Sequence, residues 1–534
     1  MSHRLRLVLA LTPVLATLTT FAACGLMKGR VPGGAYHEAP AVAGTAVGGK
    51  TSDGAEGPRM NTEAYRHVED NPFLKVTHNP LSTFAVDVDT ASYSNVRRFL
   101  TEGMLPPKDA VRIEELVNYF PYDYPTPKGE RPFSAVAEVS RAPWNPRHRL
   151  VLLGLQGRRI PDAQLPPRNL VFLLDVSGSM DTANKLPLLK AALRLLVAQL
   201  TERDRVAMVV YAGASGVVLP STAGSEKAKI LAALSRLQAG GPTNGADGIR
   251  LAYRVAREHF RPGGINRVIL ATDGDFNVGT TSEGDLVRLV EAERQSGVFL
   301  TVLGFGMGNL KDSTMEQLAD KGNGNYAYID NLAEARKVLV RQAGSTLVTI
   351  AKDVKVQVEF NPKRVAAYRL LGYENRLLRA EDFNDDRKDG GEIGAGHSVT
   401  ALYEIVPVGA ETEVRGVDPL KYQSGARPTE AAAGPELFTV KLRYKAPSAE
   451  QSQLLALPVL DEAAPLAQTT DAFRFASAVA AFGMLLRDSP HKAQTTFGLV
   501  RELARGAKGK DPHGYRGEFL RLLDQAEALR RKQS

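Results

Sequence analysis

Cysteine and histidine are scarce in this chain of 534 residues. The single cysteine, Cys24, excludes an intramolecular disulfide, so the fold must be held by its hydrophobic core and its polar contacts. The chain has nine histidines, and none lies in a His-Glu-x-x-His motif or in another paired spacing typical of zinc. No serine lies in a Gly-x-Ser-x-Gly motif, which leaves nucleophilic catalysis without a candidate residue.

Excess charge is also small. There are 67 Lys and Arg against 59 Asp and Glu, a formal net charge of +8. Much of the excess lies in residues 501–534, where basic residues outnumber acidic ones. This tail could contact phosphates or anionic lipid, although a solvated helix face is the simpler interpretation. Because basic and aromatic residues do not interleave as in a nucleic-acid groove, we expect no nucleic-acid partner.

Residues 1–24 resemble the signal of a bacterial lipoprotein. Arg4 and Arg6 precede an apolar run over residues 7–21, and two alanines come directly before Cys24. The run is short for a transmembrane helix. In lipoproteins with this pattern the cysteine is lipidated and the signal is removed. We therefore expect anchoring to a membrane of the bacterial cell envelope, and Gly25 favours the outer membrane, facing the periplasm. An ordinary cleaved signal with a chance cysteine is the alternative.

The rest of the chain changes its apolar pattern several times. Residues 25–70 begin as a Gly-, Ala- and Pro-rich stretch typical of a flexible tether. Residues 71–166 form an N-terminal flank that ends in β-strands, and residues 167–346 alternate strands with helices. Residues 347–465 are β-rich and residues 466–534 are helical, with Asp471 as the predicted cap of the first helix.

Strand–helix alternation over residues 167–346 predicts an α/β domain with a doubly wound open sheet. The apolar runs Leu170–Leu174, Val206–Tyr211 and Val268–Thr272 are those of buried parallel strands. Val217–Leu219 is short and predicts an antiparallel edge. After about residue 347, Val354–Phe360, Val399–Pro407 and Leu437–Tyr444 alternate as half-buried strands do. Lone strands are not stable, so we expect them to pair with strands in residues 133–156, forming a β-sandwich in which the α/β domain is inserted, or which flanks it.

Oxygen-bearing side chains follow the ends of these buried strands. Asp175, Ser177 and Ser179 come in one turn after the first, and Asp273 comes directly after Thr272. Thr243 lies in a Gly-Gly-Pro-Thr-Asn turn that opens a helix. In an open α/β sheet, ligands bind beyond the carboxyl ends of the strands. Carboxylates and hydroxyls suit Mg²⁺ or Mn²⁺, so the sequence predicts a divalent-metal site here.

In this order, the three segments resemble the metal-ion-dependent adhesion site of the von Willebrand factor type A (vWA) family. The resemblance implies that Ser177, Ser179 and Thr243 bind the ion directly and that Asp175 and Asp273 act chiefly through bound waters. It also implies that an acidic residue of a protein partner completes the coordination. The flanks resemble those of bacterial vWA lipoproteins over residues 84–94, 391–397 and 471–476.

The resulting hypothesis is a lipid-anchored binding protein that is not an enzyme. A structural envelope scaffold with a vestigial metal site is one alternative. A metal-dependent hydrolase is another, and it would need Asp275 or Asp181 as a general base. Two other acidic clusters are weaker candidates for cation sites. We expect Asp89 or Thr90 to cap the helix near Ser92, and we expect the segment 382–392 to be an exposed acidic turn.

Overall fold

The computed structural model describes residues 62–86, 89–243, 245–274, 282–342, 348–388, 390–410, 421, 427–461 and 464–533. The predicted signal, the lipidation site Cys24 and the first part of the predicted tether lie outside these residues. Within them, no helix combines the length and the apolar character needed to cross a membrane.

The N-terminal flank combines short strands, two helices and a long hairpin. Residues 62–70, which the sequence assigns to the tether, pack against the α/β domain: the Thr62 amide donates to the Gly308 carbonyl at 2.7 Å, and Ala64 pairs with Lys311. This part of the chain therefore differs from a free tether. The elements of the flank are β1 (Leu74–Lys75), β2 (Leu81–Ala85), α1 (Ala91–Thr101), α2 (Ile113–Asn118), β3 (Phe133–Ala142) and β4 (Asn145–Gly157).

The doubly wound sheet is confirmed in the next segment. Its strand order is β10-β9-β8-β5-β6-β7, in which β7 is the antiparallel edge and the other neighbours are parallel. Separate apolar clusters cover its two faces. Its elements are β5 (Arg168–Asp175), α3 (Leu186–Ala198), β6 (Arg205–Tyr211), β7 (Ser215–Ala223), α4 (Lys227–Ser235), α5 (Gly245–Glu258), β8 (Ile265–Thr272), α6 (Glu283–Arg294), β9 (Phe299–Phe305), α7 (Asp312–Lys321), β10 (Tyr326–Ile329) and α8 (Leu332–Arg336), which continues as a π-helix over Lys337–Arg341.

Strands from both sides of the α/β domain form a β-sandwich, as the alternating pattern predicts. One sheet has the order β1-β12-β15-β4-β3 and the other β13-β2-β11-β16-β17. Val151 from the first and Val356 from the second belong to the same buried cluster. The α/β domain is therefore inserted in the sandwich. The remaining strands are β11 (Thr349–Phe360), β12 (Val365–Leu371), β13 (Leu377–Leu378), β14 (Ile393–Gly394), β15 (Ser398–Pro407), β16 (Glu436–Lys445) and β17 (Gln453–Leu460).

The C-terminal segment is helical, as expected, and packs on α1, α2 and the sandwich. Its helices are α9 (Asp471–Arg487), α10 (Phe497–Gly506) and α11 (Tyr515–Gln533). The predicted cap of α9 is wrong by one residue. Thr470 is the N-cap, and its hydroxyl accepts the Phe473 amide at 3.1 Å. Asp471 instead accepts from Arg474 at 2.5 Å on the exposed side of the helix.

The predicted cap of α1 is also wrong. Thr90 is the N-cap residue but makes no side-chain capping bond. Asp89 is buried and reaches across to the α/β domain, where its carboxylate accepts the Tyr326 amide at 2.7 Å and pairs with Arg376 at 3.3 Å. A tertiary contact has therefore taken the carboxylate that a local cap would use.

Buried ion pairs join the N-terminal helices to the α/β domain. The Arg97 guanidinium on α1 donates to Asp330 at 2.5 Å and to Glu334 at 2.8 Å. It also donates to the Tyr119 hydroxyl and to Glu518 on α11. One arginine therefore contacts the end of the α/β domain, the flank and the C-terminal helices.

Candidate metal centre

The first part of the site lies at the carboxyl end of β5. Residues 170–174 are completely buried, and Asp175 ends the strand with no exposed surface. One of its carboxylate oxygens accepts the Ser177 amide at 2.9 Å. The other accepts the Tyr211 hydroxyl at 3.1 Å and the Thr272 hydroxyl at 3.2 Å. Donors from its own loop and from both neighbouring strands thus fix this carboxylate.

The two serines point to a common position. The hydroxyl oxygens of Ser177 and Ser179 lie 3.1 Å apart. Two backbone hydrogen bonds tie their loop to the Gly-Gly-Pro-Thr turn: Gly240 donates to the Val176 carbonyl at 2.8 Å, and Gly178 donates to the Gly241 carbonyl at 3.0 Å. These bonds bring the loop that carries Thr243 beside the serine loop.

Asp273 follows β8 and is fully buried. Burial alone would raise its pKa, but the ammonium of Lys185 and hydrogen bonds from Asn309 and Ser179 lower it. The bond to Ser179 brings Asp273 to the serine loop. Asp175, Ser177, Ser179 and Asp273 are therefore together at this edge of the sheet, as the sequence predicts.

The net pKa shift of Asp175 is in the opposite direction. Burial raises the pKa of this carboxyl to about 6, and the nearby negative charge of Asp273 adds to the effect. The hydrogen bonds from Ser177 and Tyr211 offset burial only in part. A cation beside this carboxylate would favour its charged form. Burial removes the water that would otherwise stabilise the negative charge, and the cation would replace that stabilisation.

Lys185 is a residue of the site that the motif did not identify. Its ammonium donates to Asp273 at 2.8 Å and to Asn309 at 3.1 Å, with its side chain 6% exposed. The lysine side chain passes against Gly306, where an added Cβ would lie 2.3 Å from its Cε. The sequence gives no signal for this role of Lys185, because its partners Asp273 and Asn309 lie far along the chain.

The donor set fits a hard divalent cation. Two buried carboxylates and two hydroxyls meet at a strand end, and oxygen donors of this kind suit Mg²⁺ or Mn²⁺. Within the described residues, no group of three or more His, Cys, Asp or Glu could hold a metal by itself. Any ion here would therefore depend on the serine and threonine hydroxyls. Asp181 is exposed, and Asp275 lies outside the described residues.

Comparison with known proteins agrees with this architecture. The family model "von Willebrand factor type A domain" matches residues 169–342, and one described as "von Willebrand factor" matches residues 59–152. A third, "Uncharacterized protein YfbK, C-terminal", matches residues 345–529. Protein YfbK of Escherichia coli is 44% identical over 503 residues, covering 93% of this chain and 86% of YfbK. The chain belongs to the YfbK family of vWA proteins.

Other similar proteins are less identical to this chain. Human inter-alpha-trypsin inhibitor heavy chain H4 is 30% identical over 182 residues, which are 32% of this chain and 18% of that protein. A solved von Willebrand factor type A structure from Catenulispora acidiphila is 16% identical, covers 84% of this chain and 90% of that one, and superposes with a TM-score of 0.38. Domains of the vWA type commonly bind a divalent metal and mediate protein–protein interactions.

Proposed function

We propose that this protein binds a protein partner through a divalent cation held by Asp175, Ser177, Ser179, Thr243 and Asp273. The observation that supports it most is the meeting of three loops at the carboxyl ends of β5 and β8. Two hydrogen bonds join the serine loop to the threonine loop, and Ser179 bonds to Asp273. The cation, Mg²⁺ or Mn²⁺, would supply an electrophilic position for an acidic side chain of the partner.

The chain's own residues would prepare that position. Tyr211 and Thr272 hold the Asp175 carboxylate in place. Lys185 balances the charge of Asp273. With one of the two carboxylates already paired to a lysine, an ion of charge two leaves an excess of positive charge at the site. A carboxylate from outside would offset that excess, so the arrangement favours an acidic partner.

The same lysine favours the alternative of a scaffold that needs no metal. Its ammonium already satisfies Asp273 at 2.8 Å, so a cation is not required to compensate that buried charge. In a scaffold, the sandwich and the helices would carry the interactions instead. Metal-mediated binding predicts that removing the Thr243 hydroxyl abolishes partner binding, whereas the scaffold predicts no change.

The deciding experiment is metal-dependent capture of a partner. We expect immobilised protein to retain an envelope protein in Mg²⁺ and to release it in a chelator. Thr243→Ala should lose this partner, because it lacks the hydroxyl that would bind the ion. Thr243→Ser keeps that hydroxyl and should retain the partner. Capture that neither the chelator nor Thr243→Ala changes would contradict metal-mediated binding and support the scaffold.

We further propose that Cys24 is lipidated and anchors the protein in the bacterial envelope, with the outer membrane favoured. The alanines before this cysteine and the apolar run support it, and more than one acyl chain gives stable anchoring. Cys24→Ser should move the protein from the membrane fraction to the soluble fraction, whereas wild type should need detergent. A soluble wild-type protein, or a variant that stays with the membrane, would contradict the anchor.

A further inference from the structure

A cavity lies at the opposite end of the α/β sheet from the candidate metal centre. The metal loops follow the carboxyl ends of β5 and β8, whereas this cavity is lined by Arg168, the first residue of β5, and by Thr201, Arg203 and Asp204, which precede β6. Its volume is about 620 Å³, a size typical of sites for small organic ligands. The two sites share no residue.

Parts of the chain that are distant in sequence form its other walls. The continuation of α8 contributes Lys337 and Arg341. The start of β15 and the loop before it contribute residues 395–398, and the C-terminal helices contribute Tyr515. A ligand here would contact the α/β domain, the sandwich and the helical segment together.

Basic side chains dominate the lining. Its charged members, histidines aside, are one acid, Asp204, and five basic residues. Asp204 is already bound by Arg168 through contacts of 3.0 and 2.8 Å, so it does not neutralise the others. The basic residues are Arg159, Arg168, Arg203, Lys337 and Arg341.

Lys337 is the most buried of these cations. Its side chain is 1% exposed, and its ammonium makes no hydrogen bond within the described residues. It lies over the Tyr119 ring, and one oxygen of Glu334 is 3.8 Å away, beyond hydrogen-bond distance. The other Glu334 oxygen is held by Arg97 and Tyr119. Burial lowers the pKa of Lys337 to about 7, although the charge of Glu334 raises it. An anion in the cavity would favour the charged ammonium and accept from its unused donors.

The cavity also has an apolar wall. Ile160, Leu165 and Pro166 line one part, and the Tyr515 ring lines another. Guanidinium groups bind phosphate and carboxylate groups through paired hydrogen bonds. We propose that this cavity binds a small organic molecule that carries at least two negative charges on a partly apolar body. The site is independent of the metal centre and does not rest on the proposed partner binding.

Calorimetric titration of the full chain in detergent, at low salt and without divalent metal, tests this site. The probes are ADP, pyrophosphate and citrate, which separate phosphate from carboxylate chemistry and test the need for an organic body. We expect saturable binding of ADP or citrate that is tighter than any binding of pyrophosphate, which carries the charge without an organic body. Arg159→Ala and Arg203→Ala should each weaken it about tenfold, the loss of one charge-assisted hydrogen bond. Lys337→Met should weaken it at least as much.

Two controls make the result specific. Arg387 has a side chain that is 91% exposed and does not line the cavity, so Arg387→Ala should bind like wild type. Asp175→Asn should also bind like wild type, because it alters only the metal centre. If Lys337→Met does not fold, the two arginine variants still decide the question. No saturable binding of ADP or citrate, or binding that neither arginine variant weakens, would overturn the proposal.

Discussion

Replacing Asp175 with asparagine is expected to weaken Mg²⁺ binding about 100-fold, the upper range for a group that orients metal ligands and their waters. The fold should survive. Asparagine keeps an oxygen for the Ser177 amide, which Asp175 accepts at 2.9 Å. It also removes a charge that burial disfavours, since the pKa of Asp175 is raised to about 6. The metal-free variant should therefore be at least as stable as wild type.

Calorimetric titration of Mg²⁺ and Mn²⁺ into the chain from Arg59 onward measures this effect. The matched control is Asp181→Asn, which removes an exposed acid a few residues further along the same loop. This control should bind both ions like wild type, because an exposed charge is screened by solvent. Equal affinity of wild type and Asp175→Asn would contradict the assigned site.

Replacing Arg97 with methionine is expected to lower the free energy of unfolding by about 3–5 kcal/mol, the usual cost of removing one partner of a buried ion pair. Arg97 is 6% exposed, and its partners Asp330 and Glu334 are 8% and 1% exposed. Lys337 lies 3.8 Å from Glu334 and is too far to replace the lost hydrogen bonds. Two buried carboxylates would then lack the guanidinium that now binds them both.

Urea unfolding followed by circular dichroism measures the loss. The control is Arg288→Ala on α6, where the arginine is 70% exposed and pairs with Asp285 in the preceding turn. Exposed pairs of this kind contribute little, so this variant should unfold at the wild-type urea concentration. If Arg97→Met also unfolded there, the N-terminal helix would not be held to the α/β domain by this network.

The α/β domain and its site were predictable because their signals are local. A buried parallel strand is a continuous apolar run, and Asp175 of the candidate site directly follows such a run over residues 170–174. Predicting the sandwich needed one more inference, because its paired strands β4 and β15 are far apart in the chain. Their pairing follows from the need of each strand for a partner, and the structure pairs Leu152 with Leu402.

Strand β12 and helix α7 were not predicted, because their apolar residues do not recur with a clear period. Strand β12 is buried at nearly every position, so it shows no alternation. Helix α7 has three buried apolar side chains among polar ones, which gives a weak helical pattern. The contacts of Lys185 and Asp89 were not predicted, for another reason. Each makes its decisive contact with a residue far along the sequence, Asp273 and Tyr326 respectively, and no local pattern encodes such a contact.

The most direct test of the account is the position of a bound ion. Crystals grown with Mn²⁺ should show an anomalous peak between the hydroxyls of Ser177, Ser179 and Thr243, at about 2.2 Å from each ligand oxygen. The Asp175→Asn crystals should lack that peak. A peak elsewhere, or none in the wild type with the Lys185 ammonium still bound to Asp273, would contradict a metal-dependent site and leave the scaffold as the function.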